Sequence, residues 1–123
     1  MQTNPYQQYK QSSITTMTPM EIVIKLFVEA EREISRGIHF IGEKDYAGAN
    51  GAIIRAQRFI QTLRSSLDMN YAIADNLDAL YEYIGRELVQ ANLRKDTTML
   101  ETLLSMLTEL REAFAQAVRT QRH

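Results

Sequence analysis

The 123-residue chain contains no cysteine and no tryptophan, only two prolines and five glycines, and its formal net charge is −1. Without cysteine, disulfides, thiolate metal sites and cysteine nucleophiles are excluded. The nearly balanced charge argues against electrostatically driven binding to nucleic acid or to an anionic membrane. No apolar run approaches the roughly 18 residues of a membrane-spanning helix, and the first residues do not follow a signal-peptide pattern. We therefore expect a cytoplasmic protein without a membrane insertion.

The first 18 residues differ from the rest of the chain. Eleven of them are Gln, Thr, Ser or Asn, and Lys10 is the only charged one. Pro19 then begins a helix, with Thr18 as its N-cap and Glu21 as the partner in a capping box. The sequence predicts an N-terminal arm over residues 1–18, flexible or folded into a short capping helix, and a helical domain over residues 19–123.

Four helices are predicted, over about 19–41, 46–66, 72–94 and 97–119. Asp45 and Asp96 are expected to cap the second and fourth helices, and no proline interrupts the chain after Pro19. In the fourth helix, the apolar residues follow alternating steps of three and four, which is the spacing of helices packed at shallow angles: Leu100, Leu103, Leu107, Leu110, Phe114 and Ala117. Because the loops are short, we predict an all-α, antiparallel up-down four-helix bundle.

Three further predictions concern particular positions. The apolar stripe of the third helix is expected to begin at Ile73, and Glu82 and Arg86 form an i,i+4 pair on the same helix. Small residues near the start of the second helix are expected to allow close helix approach: Ala47, Gly48, Ala49, Gly51 and Ala52.

Some apolar residues exceed what a bundle core requires. All of residues 22–28 except Lys25 are apolar, and a helix that is hydrophobic nearly all round is either central or bound on a second side. We interpret the surplus as a partner groove, which Tyr6, Tyr9 and Ile14 of the arm would cap when no partner is present. The alternatives are a wide core stripe with ordinary exposed apolar residues and a disordered tail.

Signals for catalysis and metal binding are poor. Neither His39 nor His123 has a glutamate three residues before it, so the Glu-x-x-His pairs of di-iron bundles are absent. Zinc-ligand spacing is also absent, and the residues after His39 do not fit a histidine phosphotransfer site. The sequence predicts neither an enzyme nor a bound metal or cofactor. A helical adaptor remains an alternative function, and a phosphotransfer bundle is a less favoured one.

The chain resembles the flagellar secretion chaperone family FliS over about residues 4–119. No single matching element is specific, and the resemblance depends on their order and spacing. The matching residues are Asn4, Tyr6, Tyr9, Pro19, Leu26, Phe27, Lys44-Asp45, Ala52-Ile53-Ile54-Arg55-Ala56-Gln57, Leu67-Asp68, Asn76-Leu77, Leu80-Tyr81, Tyr83-Ile84, Ala91-Asn92, Lys95-Asp96 and Leu110-Arg111.

The resemblance implies a non-catalytic cytoplasmic chaperone that binds the disordered C-terminal segment of flagellin as helices in apolar grooves. Such a chaperone prevents premature polymerisation and delivers its client to the flagellar type III export gate protein. Physically, this is helix-in-groove recognition coupled to folding of the client. The sequence leaves open whether the free protein forms a homodimer through its surplus apolar surface.

Candidate partner-binding residues come from two sources. The apolar pattern supplies Ile14 in the arm and Leu104, which lies beside the seam of the fourth helix. The family resemblance implies a second set of positions: Tyr6, Tyr9, Ile22, Leu26, Phe27, Asn76, Tyr81, Tyr83 and Asn92. For the polar residues of this second set, hydrogen bonds between helices are an alternative role.

Overall fold

The computed structural model describes residues 19–121, which form four helices and no strand. The helices are α1 (Pro19–Gly42), α2 (Tyr46–Ser65), α3 (Ile73–Arg94) and α4 (Thr97–Gln121). Each helix packs against the next one in the chain, and α4 packs back against α1. The predicted all-α four-helix bundle is therefore confirmed. The arm and its proposed cap residues Tyr6, Tyr9 and Ile14 lie outside the described residues, as does Thr18.

The α1–α2 and α3–α4 turns are built alike. Lys44 and Lys95 adopt left-handed backbone conformations, with φ of 61° and 51°, and each precedes the aspartate that begins the next helix. The Asp45 carboxylate accepts a hydrogen bond from the Gly48 N–H at 2.9 Å, and Asp96 accepts one from the Met99 N–H at 3.1 Å. Both predicted aspartate caps are thus confirmed.

The core follows the predicted spacing, with two exceptions at helix ends. Leu100, Leu103 and Leu107 of α4 are buried as expected. Ala117 is exposed and Ile73 is largely exposed, although both were predicted to lie on apolar stripes. Ile73 is the first residue of α3 and Ala117 lies in the last turns of α4, where fewer neighbouring residues are available for packing. The buried core consists mainly of Phe27, Ala30, Ile34, Ile53, Ala56, Ile60, Leu63, Tyr81, Ile84, Leu88, Ala91, Leu100, Leu103 and Leu107.

The α1/α2 interface is the most closely packed in the bundle. Ala49 and Ala52 of α2 are fully buried, as the sequence predicted, and Gly37 of α1 is buried as well. A Cβ atom added at Gly37 would lie 3.0 Å from Cγ1 of Ile53, so the glycine allows the close approach. Gly48 serves a different purpose from the predicted one, because an added Cβ would meet the Asp45 cap carboxylate at 2.7 Å.

Candidate functional site

A groove of about 570 Å³ lies between α2 and α3. Its walls combine aliphatic side chains with the long side chains of polar residues. Gly85 lies in the middle of the α3 wall, and a Cβ atom added there would find no heavy atom within 4 Å. The helices are therefore separated at this point, unlike α1 and α2 at Gly37. The lining residues are Ile54, Gln57, Arg58, Ile60, Gln61 and Arg64 of α2, and Tyr81, Glu82, Gly85, Arg86 and Val89 of α3.

A polar contact between α2 and α3 closes each end of the groove. At one end, Arg64 donates to both carboxylate oxygens of Asp78, from Nε at 2.6 Å and from Nη2 at 3.3 Å. This hydrogen bonding raises the pKa of Arg64 above its ordinary value. At the other end, Asn92 Nδ2 donates to Asn50 Oδ1 at 2.8 Å. The two contacts are 14 residues apart along each helix, which corresponds to roughly 21 Å.

The groove is positively charged although the chain is not. Arg58, Arg64 and Arg86 border it, Glu82 lines it and Asp78 pairs with Arg64 at one end. Three arginines against two carboxylates leave a formal charge of +1, compared with −1 for the chain. Glu82 pairs with Arg86 at 3.3 Å, which is the i,i+4 pair that the sequence predicted. Arg58 makes no ion pair with another residue of 19–121. The rim therefore favours a partner whose apolar surface is bordered by acidic side chains.

Tyr81 connects the groove to the core. The side chain is 2% exposed, and its ring centroid lies 6.2 Å from that of Phe27 in α1. Burial raises the pKa of the Tyr81 hydroxyl to about 12, because the ionised form would be poorly solvated there. Near neutral pH a tyrosine hydroxyl keeps its proton with or without this shift, so it can donate a hydrogen bond.

A second, smaller pocket of about 160 Å³ lies between α3 and α4. Tyr83 borders it and is 42% exposed, with the Arg86 guanidinium 6.0 Å from the ring centroid. The other lining residues are Glu87, Thr98, Met99, Thr102 and Leu103. At about a quarter of the volume of the α2/α3 groove, this pocket has room for a side chain rather than for a helix.

The predicted partner-binding residues occupy different surroundings. Asn76 and Tyr83 are exposed, whereas Ile22, Leu26 and Leu104 are half-buried. Phe27 is completely buried and packs 5.5 Å, centroid to centroid, from Phe114. Two more of these residues belong to the α2/α3 groove: Tyr81 lines it and Asn92 closes one end.

Asn92 also makes the kind of polar contact that the sequence left open as an alternative. Besides donating to Asn50, its Oδ1 accepts a hydrogen bond from Lys95 Nζ at 2.8 Å. Asn92 therefore links α3 both to α2 and to the turn that precedes α4. These bonds orient the amide along the end of the groove.

Sequence reasoning missed most residues of the groove. Ile54, Arg58, Gly85 and Val89 were not among the predicted site residues, yet they form its walls. Gly85 was the available signal, because a glycine in the interior of a helix costs about 1 kcal/mol relative to alanine and no turn requires it. Val89 carried no such signal, because only the structure shows that this valine, 41% exposed, lines a groove.

Chemistry other than binding has little support in the described residues. Within 19–121, no three His, Asp or Glu side chains are grouped as metal ligands would be. His39 is exposed on α1. None of the four helices is long and apolar enough to cross a membrane. Fold and groove together define a class of protein: an all-helical bundle with an open groove between two of its helices.

Comparison with known proteins identifies the family. The family model for the flagellar protein FliS matches residues 2–121. The flagellar secretion chaperone FliS of Bacillus subtilis is 35% identical over 119 residues, which cover 97% of this chain and 90% of that protein. FliS of Salmonella typhimurium is 31% identical over 109 residues, covering 86% and 81% of the two chains, and FliS of Escherichia coli is 27% identical over 111 residues, covering 88% and 82%. The chain belongs to the FliS family of flagellar secretion chaperones, which is not a class of enzymes.

Proposed function

We propose that this chaperone binds the C-terminal segment of flagellin in the cytoplasm, with one client helix lying in the α2/α3 groove. Binding would prevent premature polymerisation, and the complex would then be delivered to the flagellar export gate. The observation that carries the proposal is the groove itself, whose lining runs from Ile54 to Arg64 along α2, which is roughly 15 Å or about three turns of a helix. The family supplies a flagellar client, and the open groove supplies a place for a helix of that client.

The lining of the groove suits an amphipathic helix. Ile54, Ile60 and Val89 offer apolar surface, and the arginines Arg58 and Arg86 stand at the rim. A helix with an apolar stripe bordered by carboxylates would bury the stripe and place its charges beside the arginines. Part of the interaction free energy would be consumed in ordering the client, which keeps the complex reversible, as export requires.

The other predicted contacts are assigned according to their exposure. The exposed Asn76 and Tyr83 and the half-buried Ile22, Leu26 and Leu104 are proposed contacts for a second client helix. Phe27 is enclosed and would act by supporting the core. Tyr6, Tyr9 and Ile14 are proposed to cover apolar surface before the client binds.

The test is calorimetric titration of the chaperone with flagellin, intact and without its last 40 residues, about the length of two typical helices. Truncation should abolish binding, and the isolated C-terminal peptide should gain helicity when the chaperone is added. Intact flagellin that does not bind the folded chaperone would overturn the proposal and leave a helical adaptor with another partner.

A pair of variants at Gly85 locates the client. Gly85→Trp places an indole in the open groove and should weaken binding at least about 30-fold, equivalent to roughly 2 kcal/mol. Gly85→Ala is the control, since its methyl group meets no neighbour within 4 Å and should change affinity less than about threefold. Binding to Gly85→Trp with wild-type affinity would exclude the α2/α3 groove as the client site.

A further inference from the structure

The Tyr81 hydroxyl is an unpaired donor beside the groove. Tyr81 is 2% exposed and lines the groove, and its hydroxyl makes no hydrogen bond with any residue of 19–121. Over that same range, no fully enclosed side-chain nitrogen or oxygen lacks a partner. The hydroxyl oxygen therefore keeps some contact with solvent, and we assign that contact to the groove because Tyr81 lines it. Water in the open groove can satisfy it.

A helix lying in the groove would change the surroundings of this hydroxyl. The client excludes the water that the groove holds when it is empty, and a buried donor without a partner weakens the complex that buries it. A client that presents an acceptor at this point avoids the penalty. A site built around such a donor discriminates strongly against ligands that lack the acceptor.

On the basis of the proposed function, we infer that Tyr81 is a specificity-determining residue whose hydroxyl donates a hydrogen bond to a side-chain oxygen on the apolar face of the client helix. The arginines at the rim favour a client helix with acidic side chains beside its apolar stripe. Tyr81 adds the requirement for one polar side chain within that stripe.

Tyr46 provides a control. It is the first residue of α2, is 52% exposed, is absent from the lining of the groove and of the α3/α4 pocket and is not one of the proposed client contacts. Its hydroxyl group can be removed by the same substitution. Any general effect of losing a tyrosine hydroxyl should therefore appear in Tyr46→Phe as well.

The experiment is calorimetric titration of wild type, Tyr81→Phe and Tyr46→Phe with the 40-residue C-terminal peptide of flagellin from the same organism. Tyr81→Phe should bind about tenfold more weakly, and Tyr46→Phe should stay within about twofold of wild type. Thermal melts accompany each titration, and Tyr81→Phe should melt no lower than wild type because it removes only an unpaired hydroxyl. A Tyr81→Phe variant that binds as tightly as wild type, or more tightly, would overturn the inference.

Alanine substitutions at each polar position of the peptide identify the acceptor. One substitution should weaken binding to wild type about tenfold but leave binding to Tyr81→Phe unchanged, which is the pattern of a coupled pair. A scan without any coupled position would overturn the inference even if Tyr81→Phe binds weakly.

The Gly85 variants separate the two possible failures. If Gly85→Trp abolishes binding while Tyr81→Phe binds like wild type, the groove remains the client site and only the role of Tyr81 is wrong. If the wild-type chaperone does not bind the peptide, the proposed function fails and the inference fails with it.

Discussion

The two sides of α2 differ in how closely the neighbouring helix approaches. Toward α1, the small residues Ala49 and Ala52 are fully buried, and a Cβ atom at Gly37 would crowd Ile53 at 3.0 Å. Toward α3, Gly85 faces open space and a groove of about 570 Å³ remains. The two glycines therefore have different effects: Gly37 allows α1 and α2 to pack closely, whereas the missing side chain of Gly85 leaves space between α2 and α3.

The polar contacts across the two interfaces follow the same division. Glu33, which is 6% exposed, accepts hydrogen bonds from Arg36 on its own helix at 2.9 Å and from Arg55 on α2 at 2.8 Å. Arg64 and Asp78, which close one end of the groove, are both about one third exposed. The arginines at both contacts are partly exposed. The difference is in the carboxylate, which is buried at the α1/α2 interface and accessible at the α2/α3 interface.

Replacing Gly37 or Gly85 by leucine should give the largest difference in the free energy of unfolding. Gly37→Leu forces four carbon atoms into a packed interface and should lower the free energy of unfolding by about 3 kcal/mol. Gly85→Leu adds helix propensity in open space and should raise it by up to about 1 kcal/mol. Urea denaturation of both variants measures the difference. Equal losses of stability would contradict the contrast between closed and open interfaces.

Alkaline pH should affect stability through Tyr81. Its pKa is about 12 in the folded protein and about 10 in the unfolded chain. As the pH rises, the unfolded chain loses the Tyr81 proton before the folded protein does. The free energy of unfolding is therefore unaffected by Tyr81 below pH 10 and decreases as the pH rises toward 12. The decline should reach about 2 kcal/mol at pH 12, measured as the difference between wild type and Tyr81→Phe in denaturation from pH 9 to 12. Tyr83→Phe should retain the wild-type pH dependence.

The two polar contacts should differ in their contribution to stability. Glu33→Gln removes the charge shared by Arg36 and Arg55 and should cost about 2 kcal/mol, because charge-assisted bonds of a buried group are lost. Asp78→Asn breaks a partly exposed pair with Arg64 and should cost less than about 1 kcal/mol. Thermal denaturation of both variants tests the order. If Asp78→Asn lowers stability more than Glu33→Gln does, the Arg64–Asp78 pair rather than the Glu33 contacts would be the more important one for the fold, which would contradict our interpretation.

Local signals were sufficient to predict the fold. Asp45 and Asp96 mark helix starts because their carboxylates satisfy free backbone N–H groups, and the apolar steps of α4 place Leu100, Leu103 and Leu107 in the core. The prediction that Ala117 and Ile73 contribute to the core was wrong, because the spacing of an apolar stripe does not show where the neighbouring helices end.

The groove could not be predicted in the same way. Its existence depends on the separation between α2 and α3, which is a property of the assembled bundle rather than of either helix. Tyr81 was singled out through the family resemblance, and Gly85 through no pattern that we used. The apolar surplus of residues 22–28 drew attention to α1 instead, where Phe27 is part of the core. The predicted arm contacts lie outside residues 19–121 and remain proposals.

The absence of cysteine from the chain permits a direct test of where the client helix lies. Val89 in the groove and Val28 on α1 are 41% and 38% exposed, so Val89→Cys and Val28→Cys form a matched pair of single-cysteine variants. The rate at which each thiol reacts with a disulfide reagent is measured with and without the C-terminal flagellin peptide. We predict that the peptide slows the reaction of Val89→Cys at least about tenfold and leaves that of Val28→Cys within about twofold. Protection of Val28→Cys but not of Val89→Cys would exclude the α2/α3 groove as the site of the client helix and contradict the account.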